Sequence, residues 1–238
     1  MWNGKNKAFT LSYDDGVEQD IKFVEIINRY DLKCTFNLNS GIMTPESHWL
    51  CGLNDIRRML PEGLPELYKG HEIAVHCRTH ANLTELDDEE VKRELLDDKA
   101  ALENLFVCKI NGMAYPYGAY DDRVLGIVSD CGFAFARTVA DTHNFEVPKN
   151  LLKFGATCHH DYTDAERLLE QFISYGGEEP AIFCIWGHSY EFETNGNWDK
   201  LENICEKIAG RDDIFYGTNS QVFLEAQRIR QSEVNSRD

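Results

Sequence analysis

Short apolar segments alternate with amphipathic ones along the whole chain, and this alternation constrains the fold more than any other feature. Eight segments have the length and apolar content of buried strands, and helical patterns separate them. The strand candidates are Lys7–Tyr13, Lys33–Asn37, Glu72–His76, Gly112–Tyr115, Phe133–Thr138, Lys153–Cys158, Ala181–Gly187 and Ile214–Gly217. Such alternation predicts an α/β fold with a parallel sheet. Seven or eight units in 238 residues favour one domain, residues 1–238, built as a TIM-like barrel or a distorted relative.

Helical patterns fill the intervals between the strand candidates. The longest, Asp87–Leu105, opens with four acidic residues, which suit the positive end of a helix dipole. The other helix candidates are Val17–Tyr30, Asp121–Ser129, Asp164–Ser174, Asp199–Ala209 and Ser220–Arg230. Residues 41–69 hold three of the six prolines, so we expect a long connection there with a short helix near Asn54–Leu60.

Charge and cysteine content exclude several classes of function. The net charge of −17 argues against nucleic acid or an anionic membrane as partner, because phosphate binding needs clustered Lys and Arg. The N-terminal residues have no apolar core of a signal peptide, and no run of 18 apolar residues occurs, so we expect a cytoplasmic protein without membrane insertion. The eight cysteines form no C-x-x-C pair, which favours reduced, mostly buried thiols over disulfides or a zinc–cysteine site.

Two adjacent carboxylates, Asp14 and Asp15, lie where the first strand meets the first helix. On a regular strand neighbouring side chains point to opposite faces. At a corner opened by Gly16, both can reach one cavity, one to hold a metal and the other to take a proton. Taken alone, the pair could equally be a solvated acidic turn.

Histidines at the end of the third strand candidate strengthen the metal hypothesis. His76 and His80 are four residues apart, so a helical or tightly turned backbone places them on one side. A surface pair of histidines is the alternative. Together with a carboxylate from a neighbouring strand end, they make a two-histidine, one-carboxylate site with open positions for water and substrate.

Two further strand ends carry polar and aromatic side chains. Tyr115 and Tyr117 flank a proline and form either a packed turn or an aromatic wall that suits a sugar ring. His188 follows Trp186 and Gly187 past the seventh strand candidate. Because active sites of such barrels lie at the C-terminal ends of the strands, we expect His188 to be a proton donor rather than a structural group.

These motifs resemble those of the polysaccharide deacetylase family, the NodB-homology or carbohydrate esterase 4-like group, in order and approximate spacing. The motifs are Tyr13-Asp14-Asp15-Gly16, His76-x-x-x-His80, Tyr115-Pro116-Tyr117-Gly118 and Trp186-Gly187-His188. The resemblance covers nearly the whole chain and implies a distorted (β/α)7 barrel, the NodB-homology fold. It also implies one divalent metal, often zinc, with Co²⁺, Ni²⁺, Mn²⁺ or Fe²⁺ as other choices, bound by Asp15, His76 and His80. Asp14 is then the general base, His188 the general acid, and the Tyr117 backbone N–H the oxyanion donor.

The chain departs from the family pattern at two places. Ala114 stands where many relatives have an arginine that pairs with the base, so Arg137 is our candidate for that role and Arg78 its competitor. The aspartate–tryptophan motif that positions the acid histidine in relatives is not found here. His159 and His160 stand in its rough place.

We expect one of these two histidines to face the site, to contact substrate or to tune His188; a polar surface loop is the alternative. Glu191 and Glu193 either bind substrate hydroxyls or are solvated.

The resemblance predicts a metal-dependent hydrolase that removes N-acetyl groups from a sugar or polysaccharide. A hydrolase of another non-peptide C–N bond, in a small or cyclic amide, is the second hypothesis. A non-catalytic, metal-containing carbohydrate-binding protein is the third, and the missing arginine at Ala114 is its only support. The oligomeric state is not indicated by the sequence.

Overall fold

A barrel of parallel strands forms the centre of the computed structural model, which describes residues 1–228. The strands, in chain order, are β1 (Lys7–Asp14), β2 (Cys34–Leu38), β3 (His48–Cys51), β4 (Asn54–Arg57), β5 (Glu72–Val75), β6 (Gly112–Ala114), β7 (Phe135–Asp141), β8 (Phe154–Ala156), β9 (Cys158–His159), β10 (Ala181–Gly187) and β11 (Ile214–Tyr216). All pairings in the main sheet are parallel, in the order β8-β7-β6-β5-β2-β1-β10-β9, and β11 lies beside the first residues of β1. All eight residues of β1 are buried, as expected of a parallel strand covered on both faces.

The barrel closes through one interrupted strand. β8 pairs with β7, while β9, two residues further on, pairs with β10. This stretch therefore supplies the seventh position between β7 and β10. The result is the distorted (β/α)7 barrel that the sequence predicted, with the sixth strand candidate split in two.

Helices cover the outside of the barrel. They are α1 (Asp20–Arg29), α2 (Leu64–Leu67), α3 (Asp88–Phe106), α4 (Asp122–Asp130), α5 (Ala165–Ile173), α6 (Ser189–Thr194) and α7 (Trp198–Ile208). The Asp87 side chain accepts from the Glu90 N–H at 2.8 Å, and the Glu90 side chain accepts from the Asp87 N–H at 3.0 Å. This capping box explains why α3 begins at the acidic run. Ser220–Leu224 forms a π-helical turn, and the end of the predicted Ser220–Arg230 helix lies outside the described residues.

The prediction for residues 41–69 was wrong in its secondary structure. Instead of a helix near Asn54–Leu60, β3 and β4 form an antiparallel hairpin around a two-residue turn at Gly52, whose φ is 63°. Only Ile56 of the hairpin is fully buried, so its apolar pattern is too weak to show a strand pair. The short helix lies later, at α2, and helix α6 was not expected.

The positions of the strands decide where the polar side chains meet. Eight of the predicted site residues lie at or just after the C-terminal ends of β1, β5, β6 and β10, all at one rim of the barrel, whereas Arg137 lies inside β7 and His159 and His160 lie at β9. Within residues 1–228, helices that combine the length and the apolar character needed to cross a bilayer do not occur.

Candidate active site

A cavity of about 480 Å³ opens at the C-terminal rim of the barrel. It is lined by Asp14, Asp15, Trp49, Arg58, His76, His80, Tyr115, Tyr117, Val139, Trp186, His188 and Tyr190. Eight of the eleven site residues expected from the sequence are in this lining; Arg137, His159 and His160 are not, and they lie behind it. Parallel strand order thus brings together residues that are up to 174 positions apart in sequence, from Asp14 to His188.

Three side chains at the rim form a possible metal site. The Asp15 Oδ1 atom is 4.0 Å from His76 Nε2 and 3.6 Å from His80 Nε2, and all three donor atoms lie within 4.8 Å of one another. The second ring nitrogen of His76, Nδ1, is 2.9 Å from the Ala114 carbonyl oxygen. Because Nδ1 donates to this acceptor, the lone pair of His76 is on Nε2, which faces the other two ligands.

Burial and charge keep the three side chains in the protonation states that bind a cation. Burial lowers the pKa of His76, and burial together with the neighbouring His76 lowers the pKa of His80 to about 4. Burial acts to raise the pKa of Asp15, but His188, Arg58 and the two histidines outweigh it and bring that pKa to about 2. At neutral pH the site therefore holds two neutral imidazoles and one carboxylate.

The backbone of the site is held in uncommon conformations. Asp15, His80 and Tyr117 have positive φ angles of 83°, 60° and 59°, and Gly16 has 64°. Non-glycine residues rarely adopt this region, and it costs energy that the surrounding structure must supply. The turn at Asp15 and Gly16 is the corner that lets the two consecutive aspartates reach one cavity.

Arg137 lies directly against Asp14. It donates through a terminal guanidinium nitrogen to Asp14 Oδ2, and the Asn37 amide donates to Asp14 Oδ1 at 2.8 Å. Arg137 also donates to Ser12 Oγ at 3.1 Å, and its guanidinium stacks over the Trp186 ring. The pKa of Asp14 is lowered overall: burial acts to raise this pKa, but Arg137, His76 and His188 outweigh the effect of burial.

Arg78, the alternative partner of Asp14, points away from the cavity. Its guanidinium pairs with Asp97 at 3.1 Å on the surface. Asp14 therefore pairs with Arg137 of strand β7 and not with Arg78.

His188 faces the triad from the end of β10. Its Nε2 atom is 3.8 Å from Asp15 Oδ2, and its Nδ1 atom is 3.3 Å from Glu191 Oε2. Burial acts to lower the pKa of His188, but Glu191, Asp15 and Asp14 raise it to about 9. His188 therefore carries a proton at neutral pH, with Nε2 towards the cavity.

His159 and His160 lie beside Glu191, and the donor atoms of His159, His188 and Glu191 are within 4.8 Å of one another. The Nε2 atoms of His159 and His160 are 3.1 Å and 3.4 Å from Glu191 Oε2. The Glu193 carboxylate, by contrast, accepts from the Trp198 indole N–H at 2.6 Å on the outer side of α6. Of the two glutamates, Glu191 contacts a cavity residue, His188, and Glu193 does not.

The hairpin adds cavity residues that the sequence did not reveal. Arg58, just after β4, donates to both the backbone carbonyl and the side chain of Asp15, with 3.0 Å to Oδ1. Trp49 on β3 packs edge-on against Tyr190 of α6, with ring centroids 5.5 Å apart, and also lies beside the Arg58 guanidinium. The sequence offered one hint of these cavity residues, because Trp49 and Arg58 lie in residues 41–69, which were predicted to be a connection.

The family comparison agrees with this geometry. The polysaccharide deacetylase family model matches residues 3–136, more than half of the chain. The chain belongs to the polysaccharide deacetylase family. The matched region contains Asp14, Asp15, His76 and His80, and ends just before Arg137.

Two curated relatives match about half of this chain. Chitin deacetylase 1 of Cryptococcus neoformans is 30% identical over 124 residues, 51% of this chain and 23% of that protein. An uncharacterized protein of Streptomyces coelicolor is 27% identical over 122 residues, 51% of this chain and 44% of that protein. The chain thus matches less than half the length of either relative.

Solved structures show that the fold is the one the family resemblance implied. A Mycobacterium smegmatis protein assigned to the polysaccharide deacetylases superposes with a TM-score of 0.71 at 15% identity, over 95% of this chain and 92% of that chain. The (β/α)7 barrel is therefore the NodB-homology fold.

Proposed function

We propose that this protein is a metal-dependent N-deacetylase that removes acetyl groups from an N-acetylated sugar. One observation carries the proposal: Asp15, His76 and His80 direct three donor atoms to one point, and Asp14 and His188 each reach within 4.0 Å of that group. A carboxylate with the geometry of a base and a histidine with the geometry of an acid therefore flank a possible metal site.

The three side chains fit a divalent metal ion. Two neutral imidazole nitrogens and one carboxylate oxygen are a donor set that zinc uses in hydrolases, with a further position for water, and Fe²⁺ and related ions also accept it. The Ala114 carbonyl fixes the His76 tautomer as a second-shell partner of a metal ligand usually does. When bound, the ion would polarise the amide carbonyl and lower the pKa of water. We propose Zn²⁺ as the ion.

Each remaining group of the cavity has a distinct task in amide hydrolysis. Asp14, ionised and held by Arg137, takes the proton of the attacking water. The Tyr117 backbone N–H donates to the oxyanion of the tetrahedral intermediate. His188 then gives its Nε2 proton to the departing nitrogen, so that it leaves as a neutral amine and not as a nitrogen anion, which is a very poor leaving group.

Aromatic side chains favour a sugar as substrate. Trp49, Tyr117, Trp186 and Tyr190 line the cavity, and flat aromatic faces pack well against the apolar face of a pyranose ring. Family members act on glycans, and one relative is a chitin deacetylase. The second hypothesis, another C–N bond, keeps the same machinery and differs only in the acyl-bearing molecule. The third hypothesis, a non-catalytic protein, rested on Ala114, and the contact between Arg137 and Asp14 weakens that argument.

The test combines metal content with acetate release. The purified protein should hold about one equivalent of divalent metal and release acetate from members of a panel of N-acetylated sugars and chitin oligomers. Chelator should abolish release, and Zn²⁺ should restore it. Asp14→Asn should keep the metal and lose at least about 100-fold in kcat, since a general base contributes roughly that much.

A matched pair of histidine variants controls for the metal site. His80 and His143 both have positive φ angles, 60° and 52°, which asparagine tolerates. His80→Asn should lose the metal, whereas His143→Asn, on the surface, should keep both metal and activity. Metal bound with no acetate released from any sugar would move the assignment to another amide. Failure of the wild-type protein to bind metal would refute the proposal.

A further inference from the structure

One carboxylate oxygen behind the active site is surrounded by four nitrogen atoms. Glu191 Oε2 accepts from the His188 backbone N–H at 2.9 Å and lies 3.3 Å from His188 Nδ1, an ion-pair contact and not an aligned hydrogen bond. The same oxygen is 3.1 Å from His159 Nε2 and 3.4 Å from His160 Nε2. Glu191, His159 and His160 take no part in the hydrolysis steps proposed above.

The start of helix α6 explains why Glu191 reaches His188. His188 is the residue before α6, and Glu191 is the third residue of that helix. A glutamate at this position returns to the backbone N–H of the residue that caps the helix. The helix start is also fixed from outside, because Ser189 donates to the buried Asp20 carboxylate of α1.

The two histidines beside Glu191 are fixed by packing. His160 is fully buried, stacks on Tyr13 and Phe192, and has its Nδ1 atom 3.2 Å from the Tyr13 hydroxyl. Its other nitrogen, Nε2, has no hydrogen-bond partner of normal geometry among residues 1–228 and faces Glu191 and Asp161. His159 packs edge-on against Trp186. The Glu191 carboxylate therefore lies against two histidine rings whose positions are fixed by aromatic packing.

We propose that Glu191 is the positioning residue of the acid His188, and that His159 and His160 keep Glu191 in place. Its carboxylate fixes the Nδ1 side of the ring, so that Nε2 faces the cavity and can give its proton to the leaving group. The inference rests on the proposed deacetylase function. A second metal ion bound among His159, His188 and Glu191 is the competing use of the same side chains.

Positioning of an acid affects only reactions that need one. A sugar amide releases an amine that must be protonated as it departs, whereas an aryl acetate releases a phenolate that leaves without help. Loss of a residue that supports an active-site group through another residue commonly costs about 10-fold to 100-fold. The expected signature is therefore a loss of kcat for the amide alone.

The experiment compares Glu191→Gln with Glu193→Gln in the metal-loaded enzyme. Glutamine keeps an oxygen that can accept the His188 N–H, so α6 retains its cap. Glu193 is on the same helix and binds Trp198 outside the cavity. Glu191→Gln should lower kcat on the N-acetylated sugar about 10-fold to 100-fold with KM within about 2-fold, and change 4-nitrophenyl acetate hydrolysis less than about 3-fold. Glu193→Gln should match the wild type on both substrates.

A measurement without turnover supports the kinetic one. In ¹⁵N NMR spectra, the His188 Nδ1 resonance should shift in Glu191→Gln and stay in place in Glu193→Gln. Equal losses on amide and ester, or no loss on either, would overturn the proposal. So would two equivalents of metal that fall to one in Glu191→Gln. A wild-type enzyme that cleaves no amide refutes the deacetylase, and the NMR shift then decides the role of Glu191 alone.

Discussion

Replacing Arg137 with methionine should leave a buried carboxylate without its charged partner. The Arg137 and Asp14 side chains are only 1% and 3% exposed, so water cannot replace the lost contact. Removing one member of a buried ion pair costs about 3–5 kcal/mol, because the remaining charge is left uncompensated. The methionine chain fills much of the same space, so the cost comes mainly from charge and from the lost hydrogen bond to Ser12.

A double-mutant cycle isolates the pair from these other effects. Arg137→Met, Asp14→Asn and the double variant would be unfolded with urea in the presence of chelator, so that metal binding does not enter. The double variant has neither charge, and it should be less destabilised than the sum of the single variants by about 2–3 kcal/mol. A coupling below about 0.5 kcal/mol would refute the idea that Arg137 holds the Asp14 carboxylate.

The pH dependence of the same variants has a defined sign. The pKa of Asp14 is lowered in the folded protein, so its pairing stabilises the fold above the unfolded pKa near 4 and is lost as the pH falls below that value. The cost of Arg137→Met should therefore be largest near pH 7 and smaller at pH 4, where the proton that Asp14 takes up removes the unpaired charge. A cost independent of pH would show that packing alone is responsible.

Three further perturbations test other parts of the structure. Burial raises the pKa of Asp20 to about 7. Its protonated form therefore stabilises the fold below pH 4, and that contribution, up to about 4 kcal/mol, is lost as the pH rises through 7. Asp20→Asn should flatten the pH dependence of the unfolding free energy between pH 4 and 8, and an unchanged slope would contradict this. Gly126 on α4 has open space around an added Cβ, so Gly126→Ala should stabilise the fold by about 0.5–1 kcal/mol in urea unfolding. At Gly112 the added Cβ would lie 1.9 Å from the Phe135 ring, so Gly112→Ala should destabilise it by about 1–3 kcal/mol. Trp49 lines the cavity, and we propose that it contacts the sugar but no reacting atom. Trp49→Ala should therefore raise KM for a sugar oligomer several-fold and leave kcat within about 2-fold; an equal fall in kcat would contradict this.

The elements of the barrel and the reactive residues on its rim could be predicted from the sequence because both are local signals. Each apolar run of β1, β5 and β10 shows a strand by itself, and parallel strands bring their C-terminal ends to one edge. Asp14, Asp15, His76 and His188 lie at such ends, and His80 follows within five residues, so their common location could be expected without knowledge of the long connections. The family motifs added their expected chemical roles.

The hairpin and its cavity residues depended on tertiary structure. Its strands bury little apolar surface, and an isolated antiparallel bridge between Val17 and Arg58 connects the end of the hairpin to the segment after β1. A sequence pattern cannot show such a strand pair, because the signal of a strand is the burial of one face. Trp49 therefore reaches the cavity only through contacts with other elements.

The partners of the reactive groups were likewise decided by the fold. Arg137 contacts Asp14 across 123 positions from the third residue of β7, and nothing local distinguished it from Arg78, which follows β5. The position of Arg137 within β7 directs its guanidinium to Asp14, whereas Arg78 lies in the turn after β5 and pairs with Asp97 on the surface. Glu191 took its place in the same way, because an unforeseen helix turns its carboxylate back onto His188. The sequence determined which groups can react, and three-dimensional packing determined which groups hold them, since a buried charge must be paired by whatever the fold brings within reach.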